Sequence, residues 1–236
     1  ASPAAVARAV AAAQRAFAEW SGTPWEARVA ILRQWAEQLD EVKFDLAIAS
    51  LLEVGKSRTE ALGEAEEAID LVRYYCGEME RHQGYAQDLA RVFPNEETTC
   101  VLRPLGVIGV ISPFNYPIAL AVNMMAGALT TGNTVVFKPS AGCTLSAQLL
   151  LRSMAGTGLP KGAVNLVAGG DATGRALVAQ PGIAFQSCQD CHMKRLPEKQ
   201  PIATATGRMG ESVRARDLHE HLWAAVDVPL TEFPHA

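Results

Sequence analysis

The sequence predicts an α/β protein: N-terminal helices, then a partial parallel sheet flanked by helices, then a tail of different character. Three observations predict it. Up to about residue 90, apolar residues recur at helical spacing. From residue 98, short apolar runs alternate with helix-compatible segments, the signature of βαβ units. Beyond residue 185 that alternation stops: the last 51 residues hold four of the five histidines and no clear apolar period before Leu218–Val228. The chain thus divides into a helical part (1–95), a sheet-forming part (96–185) and an atypical tail (186–236).

Taken in order, Ser2 is an N-cap with Pro3 at the first helical position, opening an alanine-rich helix to Trp20. Ser21-Gly22-Thr23-Pro24 breaks it, and Thr23 is expected to cap a second helix. There Ala27, Ile31, Leu32, Trp35 and Leu39 make an apolar stripe. A third helix spans Lys43 to Val54 and stops at Gly55, and a fourth runs from about Arg58 to Met79. Packing alone accounts for all four. Strands are expected at Thr98–Arg103, Gly106–Ser112, Thr134–Lys138 and Ala163–Ala168, with helices at Pro117–Leu129, Thr144–Met154 and Ala172–Ala179. Apolar strands alternating with helices imply a sheet buried on both faces, hence a Rossmann-like half-domain.

Composition narrows the function. Of 236 residues 49% are hydrophobic and 19% charged, enough apolar material for a sizeable core. A net charge of -4 offers no general attraction to nucleic acid. The longest apolar stretch, Val107–Leu129, is interrupted by Ser112, Pro113, Asn115, Pro117 and Asn123, which argues against a membrane span. Ala1-Ser2-Pro3 begins no export signal, and Cys76, Cys100 and Cys143 read as buried thiols of a reducing compartment. The expectation is a cytoplasmic protein.

Three strand-to-helix junctions carry candidate chemistry, because ligands of open α/β sheets bind at the carboxyl ends of the strands. In Ile111-Ser112-Pro113-Phe114-Asn115-Tyr116-Pro117 two prolines stiffen the loop around Asn115. Its amide either donates to an oxyanion or caps the following helix. In Thr134-Val135-Val136-Phe137-Lys138-Pro139-Ser140, Lys138 either bonds ribose hydroxyls or a phosphate, or is a solvated strand-end cation. Gly169-Gly170-Asp171-Ala172-Thr173-Gly174 either admits a phosphate to a helix N-terminus or is a plain turn; its spacing is not G-x-G-x-x-G.

Together ISPFNYP, TTGNTVVFKPS and GLPKGAVNLVAGG resemble, in order and spacing, the aldehyde dehydrogenase superfamily, and Leu52-Glu53-Val54-Gly55-Lys56 resembles its Glu-x-Gly-Lys signature. The resemblance covers residues 1 to about 185, and LLEVGKSRTEALGEAEEAIDLVRYYC is most similar to the 1-pyrroline-5-carboxylate dehydrogenases. It implies oxidation of a small aldehyde to an acid with NAD or NADP: a cysteine thiolate attacks, hydride passes to the nicotinamide, and a glutamate-activated water releases the product. By resemblance Asn115 is the oxyanion-stabilising asparagine. Ser112, Pro113 and Phe114 line the cofactor cleft, with Phe114 in place of a commoner tryptophan. Lys138 and Ser140 lie around the adenosine ribose, and Gly169 and Gly174 near the adenine. Ala141 stands where many members carry a ribose-binding glutamate, which leaves NAD against NADP open. Full-length members are homo-oligomeric.

After Gly182-Ile183-Ala184-Phe185 the resemblance lapses. The family's Thr-Gly-Ser turn, its Glu-Leu-Gly-Gly segment and its Gly-Gln-x-Cys loop do not occur in the sequence. The expectation is a truncated fragment without catalytic turnover, prone to self-association, with dinucleotide affinity weakened by at least one to two orders of magnitude. A non-catalytic nucleotide-binding or interaction module is the competing reading. The tail admits three: haem attachment at Cys188-x-x-Cys191-His192, a zinc site from Cys188, Cys191, His219 and His221, or a non-native or frameshifted terminus without a metal. The last is preferred, so no metal ligand is assigned.

Overall fold

The computed structural model describes residues 1–91, 93–184, 193–195 and 219–221. Four helices come first: α1 (Pro3–Gly22), α2 (Trp25–Glu41), α3 (Lys43–Val54) and α4 (Arg58–Arg81). Ser2 caps α1 as its sequence position suggests, its hydroxyl accepting from Ala5 N at 3.3 Å. Thr23, expected to open α2, instead closes α1. Its backbone N–H donates to Trp20 O at 3.2 Å and its hydroxyl to Glu19 O at 2.9 Å, while α2 starts from Pro24 without a side-chain cap. The helix 3 boundary falls where glycine punctuation puts it: Gly55 adopts the left-handed conformation, φ 83°, that costs a residue without Cβ least. Ser57 and Glu60 then form a reciprocal capping box at the start of α4.

A short antiparallel pair follows, β1 (Ala86–Asp88) with β2 (Thr99–Val101). The strand expected at Thr98–Arg103 is therefore present but shorter, and it belongs to this exposed ribbon rather than to the parallel sheet. The parallel sheet comprises β3 (Val107–Ile111), β4 (Thr134–Lys138), β5 (Val164–Leu166) and β6 (Ile183–Ala184), in the order β5-β4-β3-β6. Helices α5 (Ala119–Thr130), α6 (Thr144–Ser153) and α7 (Asp171–Val178) connect successive strands. The chain steps outward from β3 through β4 to β5, then returns to the other side of β3. Right-handed crossovers in both directions require α5 and α6 on one face and α7 on the other. The packing follows that rule. Val110, Val135 and Phe137 join the large core beneath α2, α4, α5 and α6, while Val107 and Val136 pack with Val6 and Val10 of α1 and Leu177 of α7.

Helices and sheet share the larger of these two cores, and residues 1–184 form a single compact unit. The two indoles at its centre are satisfied: Trp20 Nε1 donates to Leu129 O at 3.1 Å and Trp35 Nε1 to Ser153 Oγ at 2.9 Å. In a second unit, β7 (Met193–Arg195) pairs antiparallel with β8 (His219–His221). Cys188, Cys191 and His192 lie outside the described residues, and no group of three or more His, Cys, Asp and Glu side chains suited to a metal occurs among those described. No described helix is long and apolar enough to cross a membrane.

One buried ion pair ties the helical layer to the sheet. The Glu64 side chain has no exposed surface. It accepts from Ser50 Oγ and Lys56 Nζ, each at 2.7 Å, and from Ile118 N at 2.8 Å and Ala119 N at 3.3 Å at the start of α5. Removing it strands the ammonium of Lys56, whose side chain is only 10% exposed, and two backbone donors. Glu64→Ala is expected to lower unfolding free energy by about 3–5 kcal/mol, read as a reduced urea midpoint at unchanged m-value.

Candidate nucleotide-binding cleft

The carboxyl ends of β3, β4 and β5 open into one cleft of about 710 Å³. It forms where the strand order reverses around β3, the position at which an open α/β sheet leaves a crevice that no crossover covers. Ser112, Pro113 and Phe114 continue β3 into its wall, Lys138 and Ser140 end β4, and Gly174 faces it from α7. Six of the eight residues singled out from sequence thus line one cavity. The other two do not. Gly169 contributes its carbonyl to Lys138 rather than surface to the cleft, and Asn115 lies further along the β3–α5 loop.

Lys138 is not a loose surface cation. Its residue is 7% exposed, and Nζ donates to Pro139 O at 2.8 Å and Gly169 O at 3.2 Å. Two of three ammonium hydrogens are thereby spent and one is left for a ligand. Its stem runs along α7 where Gly174 has no side chain: a Cβ there would come within 3.3 Å of Lys138 Cε. A Cβ at Gly169 would overlap Thr173 Oγ1. Both glycines are explained by close approach inside the protein, and neither has a phosphate-loop geometry of its own. Ser112 differs from its neighbours. Its backbone N–H donates to Lys138 O at 3.1 Å, which continues the ladder, but its buried hydroxyl has no partner. It is the one buried side-chain polar atom without a hydrogen bond among the described residues. A buried hydroxyl left unbonded costs free energy, so its place on a ligand-sized cleft is significant.

The loop carrying Asn115 is braced from the helical layer. Lys56 Nζ sits 3.5 Å from the centre of the Tyr116 ring, and the Glu64 carboxylate caps α5 by accepting from the N–H groups of Ile118, its N-cap residue, and Ala119. The capping role considered for Asn115 is therefore filled by a residue from α4. Asn115 itself is exposed and has no hydrogen bond to a described residue. On the other side Glu53 caps α6, accepting from Leu145 N at 2.6 Å, from Ser146 N at 3.0 Å and from Ser146 Oγ. The Leu52–Lys56 stretch thus buttresses both loops of the cleft, a role beyond helix packing.

A cleft at the strand ends, with an unpartnered hydroxyl, a fixed ammonium and a helix N-terminus (Gly170, Asp171) in its lining, has the donor set of a nucleotide site. Residues 1–188 match the family model described as "Aldehyde dehydrogenase family". The chain belongs to this family. N-succinylglutamate 5-semialdehyde dehydrogenase of Klebsiella pneumoniae is 37% identical over 215 residues, 87% of this chain and 42% of that protein. The alpha-ketoglutaric semialdehyde dehydrogenase of Bacillus subtilis is 35% identical over 183 residues, 75% of this chain and 36% of that protein. Among solved structures, an NADP-dependent glyceraldehyde-3-phosphate dehydrogenase from Bacillus halodurans, complexed with NADP, superposes with a TM-score of 0.72 at 34% identity, covering 77% of this chain and 39% of that one. Proline utilization A from Bradyrhizobium japonicum gives 0.75 at 35% identity, over 78% and 19%. The chain spans about two fifths of the length of the curated relatives it matches.

Against this aldehyde dehydrogenase frame, the residues missed from sequence are Ile111, Gly170, Asp171, Arg175, Val178 and Ala179. Their signal was present: 171, 174, 175 and 178 follow the i, i+3, i+4, i+7 spacing of one helix face, starting directly after two glycines. Of the thiols, Cys100 is exposed, contrary to expectation, while Cys76 and Cys143 are buried and free. Cys143, whose Sγ lies 3.7 Å from Phe114 O, is the described cysteine nearest the site loop. Burial, with Glu53 and Glu64 nearby, pushes its thiol up from the usual range, and burial pushes Cys76 up to about 11. Neither is a thiolate nucleophile near neutral pH. In native protein at pH 8, iodoacetamide should modify Cys100 well before Cys76 or Cys143, by peptide mass mapping. Faster labelling of Cys143 would contradict its burial.

Proposed function

We propose that the cleft binds NAD or NADP and that this chain supplies the dinucleotide-binding part of an aldehyde-to-acid oxidation. The observation that carries the proposal is the unpartnered Ser112 hydroxyl beside the fixed Lys138 ammonium at the switch point of the sheet. A nicotinamide dinucleotide bound there supplies the electron acceptor for that oxidation. Lys138 and Ser140 hold the adenosine ribose, and Ser112 donates or accepts at the β3 end of the same cleft. Phe114, 48% exposed, forms an apolar wall, and Pro113 fixes its direction. Asn115, carried just beyond that wall, offers an amide to an oxyanion on the substrate side. Its exposed position and the bracing of Tyr116 by Lys56 support that role.

The substrate is a small aldehyde. A semialdehyde is favoured by two independent likenesses: the helical segment 51–76 resembles 1-pyrroline-5-carboxylate dehydrogenases, and several relatives are named as semialdehyde dehydrogenases. The reading carries with it a cytoplasmic location and assembly into homo-oligomers.

The 236-residue chain, whose sequence has neither the Gly-Gln-x-Cys loop nor the Glu-Leu-Gly-Gly segment, binds without turning over. Binding is expected to be weak, because the resemblance ends before the pyrophosphate turn. Lys138→Met, which keeps the stem and removes the charge, should weaken dinucleotide binding by roughly tenfold to a hundredfold, measured by ligand-observed NMR up to millimolar concentration. Absorbance at the reduced-nicotinamide band should stay flat with a semialdehyde present. Turnover abolished by Asn115→Ala would contradict the non-catalytic part of the reading.

Strands β5 and β6 each have a single neighbour among the described residues. Such edges present unpaired backbone groups to other chains. Sedimentation velocity should therefore show concentration-dependent self-association of the 236-residue chain; a single monomeric boundary across a tenfold concentration range would exclude it.

A further inference from the structure

We propose that the cleft selects a dinucleotide bearing a 2′-phosphate, NADP rather than NAD, and that Arg175 is the residue that reads this phosphate. The inference rests on the dinucleotide reading above and deepens it. The charged groups lining the cleft are two cations, Lys138 and Arg175, and one carboxylate, Asp171. Its local balance is positive in a chain whose net charge is -4. The positive end therefore needs an explanation.

Both cations line the same cleft. The stem of Lys138 runs against Gly174, and Arg175 is the next residue on the same face of α7. Lys138 has already given two of its ammonium hydrogens to Pro139 O and Gly169 O. Alone it offers a single donor, too little to neutralise a phosphate monoester. Arg175 is exposed and forms no ion pair with a described residue. A guanidinium presents a planar fork that matches phosphate oxygens two at a time.

A 2′,3′-diol is read differently. Dinucleotide sites that take NAD place an Asp or Glu to accept from the ribose hydroxyls, whereas those that take NADP place an arginine near the 2′-phosphate. The loop after β4 carries Pro139, Ser140, Ala141 and Gly142 and has no carboxylate beside Lys138. The one acidic side chain in the lining, Asp171, stands in the first turn of α7, where the helix N-terminus favours a negative charge. It lies one helical turn from Arg175 and repels a phosphate that approaches along that face. The unpartnered Ser112 hydroxyl lies on the β3 side of the lining and does not choose between the two dinucleotides.

The test uses the full 236-residue chain with NADP, NAD, 2′-AMP and 5′-AMP as probes, followed by ligand-observed NMR to millimolar concentration. NADP is expected to bind at least tenfold tighter than NAD, and 2′-AMP to compete better than 5′-AMP. Arg175→Gln, an exposed substitution whose thermal melt checks the fold, should reduce the NADP-to-NAD affinity ratio by roughly tenfold. Asp171→Asn should raise it through gained NADP affinity, with NAD affinity unchanged. NAD binding as tightly as NADP, or a ratio unmoved by Arg175→Gln, overturns the assignment and leaves the dinucleotide reading standing. A ratio raised by Asp171→Asn only through lost NAD affinity, with NADP affinity unchanged, would make Asp171 the diol acceptor and overturn it as well. If neither dinucleotide nor either nucleotide binds, the dinucleotide reading fails together with this inference.

Discussion

The carboxylate of Glu64 is the joint on which this arrangement depends. Burying a charge is costly unless it is paired and every lone pair is used. Glu64 meets both conditions, through one ammonium, one hydroxyl and the backbone amides of Ile118 and Ala119 at the start of α5. Because those partners come from three different segments, the carboxylate fixes α3, α4 and α5 relative to one another. The α5 start so fixed lies immediately after the loop that carries Ser112, Phe114 and Asn115. Lys56 extends the same joint to Tyr116 through its ring face. A stability device and a site-positioning device are here the same set of atoms.

The cleft itself follows from topology more than from any motif. Three parallel strands aim their carboxyl ends at one edge, and the reversal of strand order around β3 leaves that edge uncovered. Apolar side chains alternate between two cores, so both faces are sealed and the strand ends are where polar groups can emerge. Lys138 illustrates the consequence. It terminates a strand buried along its whole length, and its ammonium is held by the next two loop carbonyls it meets. The glycines beside it leave room for its stem. The glycine-rich turn therefore serves the lysine first, and any phosphate second.

Much of the site was legible in sequence because strand-to-helix junctions announce themselves. A run of β-branched residues ending in Lys-Pro-Ser, or in Ser-Pro-Phe-Asn, places a polar side chain at a strand end whatever surrounds it. The α7 contribution was harder to read. Arg175 and Asp171 bring charge to the cleft lining, but on an eight-residue helix they look like ordinary surface residues. Thr23 misled for a related reason: a threonine between two helices can satisfy either end, and its hydroxyl found the Glu19 carbonyl behind it.

What the sequence determined by itself is the order and kind of the elements. Those depend on apolar period and on local capping, which act within a few residues: Ser2 and Gly55 sit where such rules put them. What only the tertiary structure decided is everything that joins distant residues. It paired β2 with the Ala86–Asp88 strand, sent β6 to the far side of β3, and gave α5 a cap from a residue 54 positions upstream. It also turned one face of α7 toward Lys138. The physical reason is range. Hydrogen bonds within a turn are fixed by neighbours along the chain, whereas burial of charge, strand partners and the lining of a cleft are fixed by whatever the folded core brings into contact.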